Sequence, residues 1–309
     1  MIERNQAELT TPYATPPVIQ YARRLGIDLG SIPATGARGR VLREDVERFV
    51  RNALRAPAHP ASLTPPSQAP EQPAIDFSKF GPVEFQPLSR IRRISGSALT
   101  RNWQTIPHVT NFDAADVTDL EEFRRSLNVS APTDAAKVTT LAFLIKASAT
   151  ALKAFPEINA SLSGQEIILK RYVHIGFAVD TAGGLVVPVI RDCDAKGVRE
   201  IVTELAALSQ RARAGKLAAT DMQGGCFSIS SLGGIGGTGF TPIINAPEIA
   251  ILGAARSAMQ AVWDGREFIP RLVLPLCLSW DHRVIDGAIA ARFLSHLAGL
   301  LSDLRRVGL

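Results

Sequence analysis

Cysteine is scarce in this chain. Three in 309 residues, Cys193, Cys226 and Cys277, are too few and too far apart for a disulfide framework or a metal knuckle. That pattern favours a reducing compartment, so a cytoplasmic location is expected. The five histidines (His59, His108, His174, His282, His296) are equally scattered, and none has the spacing of a metal-ligand pair, so no metal site is expected. No apolar run is long enough to span a bilayer; the strongest, residues 141–155, is interrupted by Lys146 and Lys153. The opening residues, MIERNQAELTTP, contain no apolar signal core, which argues against secretion. Aromatic residues make up only 6%, and the 34 basic side chains are spread along the chain among 29 acidic ones. A pI of 9.4 therefore does not translate into a nucleic-acid-binding strip. What remains is ordinary globular usage, 46% hydrophobic and 20% charged, enough for one large unit or two unequal ones.

The clearest internal boundary is a shift in composition. Residues 55–75 read RAPAHPASLTPPSQAPEQPAI, rich in alanine and proline and almost without large apolar side chains. Such a segment has little to bury, and its prolines favour extended conformations, so a semi-rigid tether is expected. Before it, residues 17–25 place Val18, Tyr21, Ala22 and Leu25 at helical spacing. Residues 42–50 place Val46, Phe49 and Val50 on one face of a second short helix. A module this small has little core and is expected to be marginally stable. Arg23, Arg24, Arg38, Arg40 and Arg43 give it a basic surface, either a solvated face or a docking face for an acidic partner.

After the tether the elements lengthen. Thr118 followed by Glu121 has the form of a capping box, opening a helix through Phe123 and Leu127. Residues 140–155 read as a buried helix. Residues 172–180 and 185–191 read as strands joined by a turn at 182–184, and Val198, Ile201, Val202, Leu205 and Leu208 form a helical stripe. Residues 226–231 and 272–280 are further strands. A terminal amphipathic helix is expected over 288–304, with Phe293, Leu297, Leu300, Leu301 and Leu304 inward. The mixture predicts an α/β sandwich.

Two segments carry chemistry. In SWDHRVIDG (279–287) an apolar strand ends in a polar cluster before a glycine and a helix, which sets His282 among Asp281, Arg283 and Asp286. Neighbouring carboxylates and a guanidinium can fix the tautomer and orientation of that histidine, although the same cluster could be structural. In FSISSLGGIGGT (227–238) a serine-bearing strand runs into a glycine loop, which lets backbone approach a ligand closely. It is not a dinucleotide fingerprint, because Pro242 and Pro247 follow instead of a helix, and Ser230 lacks a hydrolase elbow.

Together DHRVIDG and FSISSLGGIGGT resemble the catalytic domain of the dihydrolipoamide acyltransferases, the core components of 2-oxo acid dehydrogenase complexes. Residues 101–124, 172–192 and 240–253 fit as well, and the NAPE and RNWQTIPHV wording is most similar to the pyruvate, acetyl-transferring branch. Residues 14–46 resemble the family's peripheral subunit-binding domain. The resemblance implies an α/β, chloramphenicol-acetyltransferase-like catalytic domain preceded by a small all-α binding domain. It divides the chain into a tail (1–11), the binding domain (12–50), the linker (51–84) and the catalytic domain (85–309).

By the same resemblance, His282 is the general base toward the coenzyme A thiol and Ser230 donates to the oxyanion. Asp286 stands where the family has Asp or Asn, with a helix-start role equally open. Arg124 is a candidate coenzyme A contact. Arg23, Arg40 and Arg43 are candidate contacts to dihydrolipoamide dehydrogenase and the pyruvate decarboxylase component, with Ile19 where some relatives have arginine. A homotrimer with interfacial sites, assembling into a cubic core, is implied, the apolar residues 301–309 helping to join trimers. The family's lipoyl lysine usually follows an aspartate; no lysine does here, so the lipoyl group is expected in trans, with acetyl-CoA or coenzyme A as the second substrate.

Overall fold

The computed structural model describes residues 13–55, 75–133 and 135–306. Contacts divide the chain into two compact units, within residues 1–84 and 85–309.

In the small unit, β1 (Tyr13–Ala14) leads into α1 (Pro16–Arg24), and β2 (Arg40–Val41) leads into α2 (Arg43–Arg55). Prolines stand in the first turn of α1, where no intrahelical N–H is lost. The unit is helical as expected, with one addition: β1 and β2 pair in parallel, Tyr13 with Arg40 and Ala14 with Val41. Its apolar core is Ala22, Ile32, Val41 and Val46. Beside that core lies the buried carboxylate of Asp45, which accepts from the Thr35 N–H (3.0 Å), the Thr35 hydroxyl (2.6 Å) and the Leu42 N–H (3.0 Å), and pairs with Arg48. These partners, the Thr35 hydroxyl foremost, hold its pKa down at about 2. Helix α2 continues to Arg55, past the expected boundary at 50, because no glycine or proline interrupts REDVERFVRNALR. Most of the expected tether, 56–74, lies outside the described residues, as do 1–12 and 307–309.

The large unit runs α3 (Arg90–Thr105), β3 (His108–Asp116), α4 (Thr118–Val129), α5 (Thr140–Ala154), β4 (Ala160–Ser163), β5 (Glu166–Leu169), β6 (Ile175–Phe177), β7 (Val179–Thr181), β8 (Gly184–Val186) and β9 (Val189–Ile190). It continues through α6 (Val198–Arg213), β10 (Phe227–Ser231), β11 (Ala250–Ala254), β12 (Ala258–Trp263), β13 (Phe268–Asp281) and α7 (Gly287–Ser302). Seven strands form the main sheet, in which β13 pairs antiparallel with β3, β11 and β12, while β10 runs parallel to both β11 and β6. The expected 172–180 strand divides into β6 and β7. The 185–191 strand breaks around Pro188, which has no N–H for a ladder, and the expected turn closes β7 onto β8.

Helix α5 is apolar on nearly every face and is buried almost throughout, so it is a core helix rather than a surface one. Its one buried charged side chain, Lys146, donates hydrogen bonds from its ammonium to the carbonyls of Asp194 (3.1 Å) and Lys196 (2.7 Å). Helix α7 buries Phe293, Leu294, Leu297, Leu300 and Leu301 at three- and four-residue spacing. Leu301 therefore belongs to this unit's own core, not to an outward apolar terminus.

The Thr118 capping box does not form. The Asp116 carboxylate accepts from the Thr118 N–H (3.0 Å) and hydroxyl (2.6 Å), and the Thr118 oxygen in turn accepts from the Leu272 N–H (2.9 Å). A cross-strand donor competes for that oxygen. Glu121, freed from capping, pairs with Arg124 and Arg125. Helix α3 and strands β3, β4, β5, β11 and β12 are not among the expected elements; α3 carries an irregular apolar pattern and is capped by Ser89, whose hydroxyl accepts from the Arg92 N–H and donates to the Gly183 carbonyl.

Candidate active site

Strand β13 delivers His282 to the end of the sheet. Residues 276–281 are buried on both faces, and the chain emerges at His282. Asp281 is itself buried; its carboxylate holds Arg283 at 2.7 Å and accepts the Arg283 N–H at 3.0 Å. Its backbone N–H donates to the Ile249 carbonyl (2.9 Å), and its own carbonyl accepts from Val284 and Ile285. This closes a tight polar turn around His282, as expected of structural support. The His282 ring is exposed and lies over the buried Trp280 ring, centroids 4.7 Å apart, and its backbone N–H donates to the Pro107 carbonyl at 3.1 Å. Trp280 is anchored from below by its indole N–H to Asn111 (2.8 Å). An imidazole held by its backbone and one face, with its edge open, can exchange a proton with a bound thiol.

Asp286 is exposed and caps α7, accepting the Ile289 N–H at 2.8 Å. The helix-start role left open by the sequence is occupied, through a cap rather than a salt bridge, and one carboxylate oxygen stays available.

Ser230 sits half-buried on β10, and among the described residues its hydroxyl has no partner. Ser230 is level with Gly253 of β11, which is level with Cys277 of β13. Two strand spacings across and five residues along separate Ser230 from His282, roughly 19 Å between Cα atoms. One copy of the chain therefore does not bring the two together. The adjoining glycine loop includes Gly236 and Gly237 at positive φ, and Gly253 is needed where a Cβ would meet the Phe240 ring at 2.8 Å.

Arg124 is not a free guanidinium. It donates to both Glu121 oxygens (2.7 and 2.8 Å) and to the Val138 carbonyl (3.0 Å), clasping α4 to the 135–139 segment. Its geometry is that of a structural clasp. The three cysteines are buried, and burial pushes the thiols of Cys193 and Cys226 up to about 12 and about 11, with Cys277 also raised. None is a ready nucleophile.

In the small unit, Arg23 is exposed at the end of α1. Arg43 lies over the Tyr21 ring at 4.8 Å and pairs with Glu47 at 3.1 Å. With Pro17, Val18, Gln20 and Arg24, the Tyr21 and Arg43 side chains line an open cleft of about 350 Å³. Arg40 is half-buried beside β1, its Nε without a partner among the described residues.

Residues that the sequence did not single out surround the same sheet end. His108 and Asn102 fasten the segment before β11. Glu248 in that segment is buried, its carboxyl pushed up to about 7 by burial against the opposing pull of Ser228, Asn245 and Lys170. Proximity across strands, not spacing, brings these groups together, and no local signal marks them.

Residues 81–309 match the family of 2-oxoacid dehydrogenases acyltransferases (catalytic domain), and residues 12–47 match the e3 binding domain family. The chain is 54% identical over 307 residues to the dihydrolipoyllysine-residue acetyltransferase component of the pyruvate dehydrogenase complex from Cupriavidus necator, covering 96% of this chain and 55% of that protein. It is 49% identical over 321 residues to the component of the same name from Haemophilus influenzae, covering 99% and 57%. The chain thus spans about half the length of these relatives.

A structure of Azotobacter vinelandii dihydrolipoamide acetyltransferase, solved to probe a serine, a histidine and an asparagine in its mechanism, superposes with a TM-score of 0.76 at 52% identity. It covers 78% of this chain and 100% of that one. In that protein the histidine lies 52 residues after the serine and the asparagine 4 further on. A structure of the cubic core of a pyruvate dehydrogenase multienzyme complex matches equally, TM-score 0.76 at 53% identity with the same coverage. Among the described residues no helix is long and apolar enough to cross a membrane. The chain belongs to the 2-oxoacid dehydrogenase acyltransferase family.

Proposed function

We propose that this chain transfers an acetyl group between a dihydrolipoyl thiol and coenzyme A, as the core of a cytoplasmic pyruvate dehydrogenase complex. The carrying observation is a spacing. Ser230, His282 and Asp286 stand 52 and 4 residues apart, the same intervals as the three residues probed in the Azotobacter vinelandii enzyme. His282 takes the proton from the coenzyme A thiol, whose sulfur attacks the acetyl carbon of the lipoyl thioester. A C–S bond forms to coenzyme A, the C–S bond to the dihydrolipoyl group breaks, and the leaving sulfur recovers the proton from His282. Ser230 donates to the oxyanion between these steps. Asp286, with one oxygen on the α7 cap, orients the turn that carries His282. Arg124 is left out of this site, since its donors hold Glu121 and Val138.

The separation of Ser230 from His282 supports a site completed by a second copy, and the similarity to a protein solved as a cubic core supports a homotrimer that assembles into such a core. Exposed Trp103, Phe112, Met259, Trp263 and Phe268 supply apolar surface for such assembly. The small unit, through Arg23, Arg40 and Arg43, docks dihydrolipoamide dehydrogenase and the pyruvate decarboxylase component.

The test is acetyl-CoA formation from acetyl-dihydrolipoamide. His282→Ala is expected to lower the rate by roughly 10²–10⁴, and Ser230→Ala by about 10²–10³. Near-normal turnover of the histidine variant ends this mechanism. Arg40→Glu is expected to abolish capture of dihydrolipoamide dehydrogenase at moderate salt; unchanged co-elution on a sizing column rejects that docking face.

A further inference from the structure

His108 opens β3 directly across from Asp281, one residue before His282. Both of its ring nitrogens are committed to backbone groups of fixed polarity. Nδ1 lies 2.8 Å from the Ile106 carbonyl, which can only accept, and Nε2 lies 3.0 Å from the Ile244 N–H, which can only donate. A single tautomer satisfies both, with the proton on Nδ1 and a bare Nε2. The ring packs against Trp103, centroids 5.4 Å apart. Asn102, buried near the end of α3, takes the other backbone group of the same residue: its Nδ2 donates to the Ile244 carbonyl at 3.0 Å. Ile244 lies outside any strand, so two side chains do for it what a sheet ladder does elsewhere.

The consequence reaches His282. Between Ile106, whose carbonyl His108 holds, and His108 itself stands Pro107, and the Pro107 carbonyl receives the His282 N–H. On the other side Ile249, at the end of the 244–249 segment, receives the Asp281 N–H. The turn bearing His282 is therefore suspended between two backbone segments that His108 and Asn102 tie to each other. We infer that His108 is a positioning residue: by latching Ile244 to Ile106 it holds the Pro107 carbonyl where it fixes the backbone, and so the imidazole, of His282. Asn102 is its second arm. The inference rests on the reading of His282 as the base, and it assigns His108 no contact with substrate.

The 309-residue chain, its His108→Ala, His108→Gln and Asn102→Ala variants, and His282→Ala are compared by steady-state kinetics and by amide hydrogen exchange over residues 240–249. A displaced catalytic group costs rate rather than affinity, so His108→Ala is expected to lower kcat about 10- to 100-fold, with KM for coenzyme A changed less than about threefold. It also strips exchange protection from the Ile244 amide. His108→Gln still offers an acceptor toward Ile244 and recovers both protection and most of the kcat. Asn102→Ala gives a smaller loss in the same direction, and it carries the test should His108→Ala not fold. Unchanged protection in the His108 and Asn102 variants overturns the latch; lost protection with wild-type kcat overturns its positioning role. Full activity of His282→Ala defeats the base assignment instead, and leaves the exchange result standing.

Discussion

The two units solve the same problem with different means. The large one excludes water with volume: Trp280, Phe143, Phe177, Phe227 and Phe293 are fully buried, and α5 is enclosed on nearly all sides. Among its described residues the small one has four buried apolar side chains, none aromatic, and adds a carboxylate, Asp45, that organises Thr35, the start of α2 and Arg48. A short chain cannot enclose much apolar volume, so a fully satisfied buried polar hub takes over part of the task of specifying the fold. Polar groups are present inside the large unit as well, but there they are tolerated: Lys146 donates to two carbonyls, while one Glu248 oxygen has no hydrogen-bond partner among the described residues.

That contrast breaks in an order set by size. Phe143→Ala should cost the large unit about 3–5 kcal/mol through lost burial and an unfilled cavity, seen in calorimetry as a lowered main transition with the small-unit transition in place. Asp45→Asn should cost the small unit about 1–3 kcal/mol by leaving donors around it poorly matched, with the main transition untouched; a shift of the main transition instead would mean that the units are not independent. The acid limb sharpens the point. Asp45 has a folded pKa of about 2 against 3.8 free, so its stabilisation is complete above 3.8 and fades as pH falls toward 2. The small unit of the wild type should therefore lose stability in that window, and that of Asp45→Asn should be flatter there.

Glu248 has the opposite sign. Its folded pKa of about 7 lies above the free value of 4.5, so the large unit is least penalised below 4.5 and loses stability as pH rises through 7. Glu248→Gln should raise the main melting transition by a few degrees at pH 8 and change it little at pH 4.5. An equal shift at both pH values would show that packing, not charge, is responsible.

Much of the fold was legible where signals are local. The stripe of α7, the apolar run of α5 and the turn at 182–184 each lie within one window of sequence, and each is present in the structure. His282 was legible because its surroundings, from Asp281 to Asp286, are contiguous. Where the signal was ambiguous, a nonlocal partner decided. Thr118 has the sequence of a capping residue, yet the Leu272 N–H from 154 positions away occupies its oxygen. Arg124 could have reached a phosphate, but Glu121 one helical turn earlier binds it. Helix α3 was missed because its face is only partly buried within one copy, which leaves Trp103 exposed and the apolar period weak.

The sequence by itself determined the kinds of element, the presence of two units, the polar turn around His282 and the serine strand that ends in glycines. Each of these depends on residues within a few positions of one another, where backbone geometry and side-chain periodicity act directly. Only the tertiary structure decided which groups meet. It placed Ser230 far from the His282 of its own chain, spent Arg124 on a clasp, and set His108 and Asn102 around the Ile244 peptide. Those outcomes follow from strand order and register in the sheet, and register is a property of the whole assembled sheet that no short stretch of sequence contains.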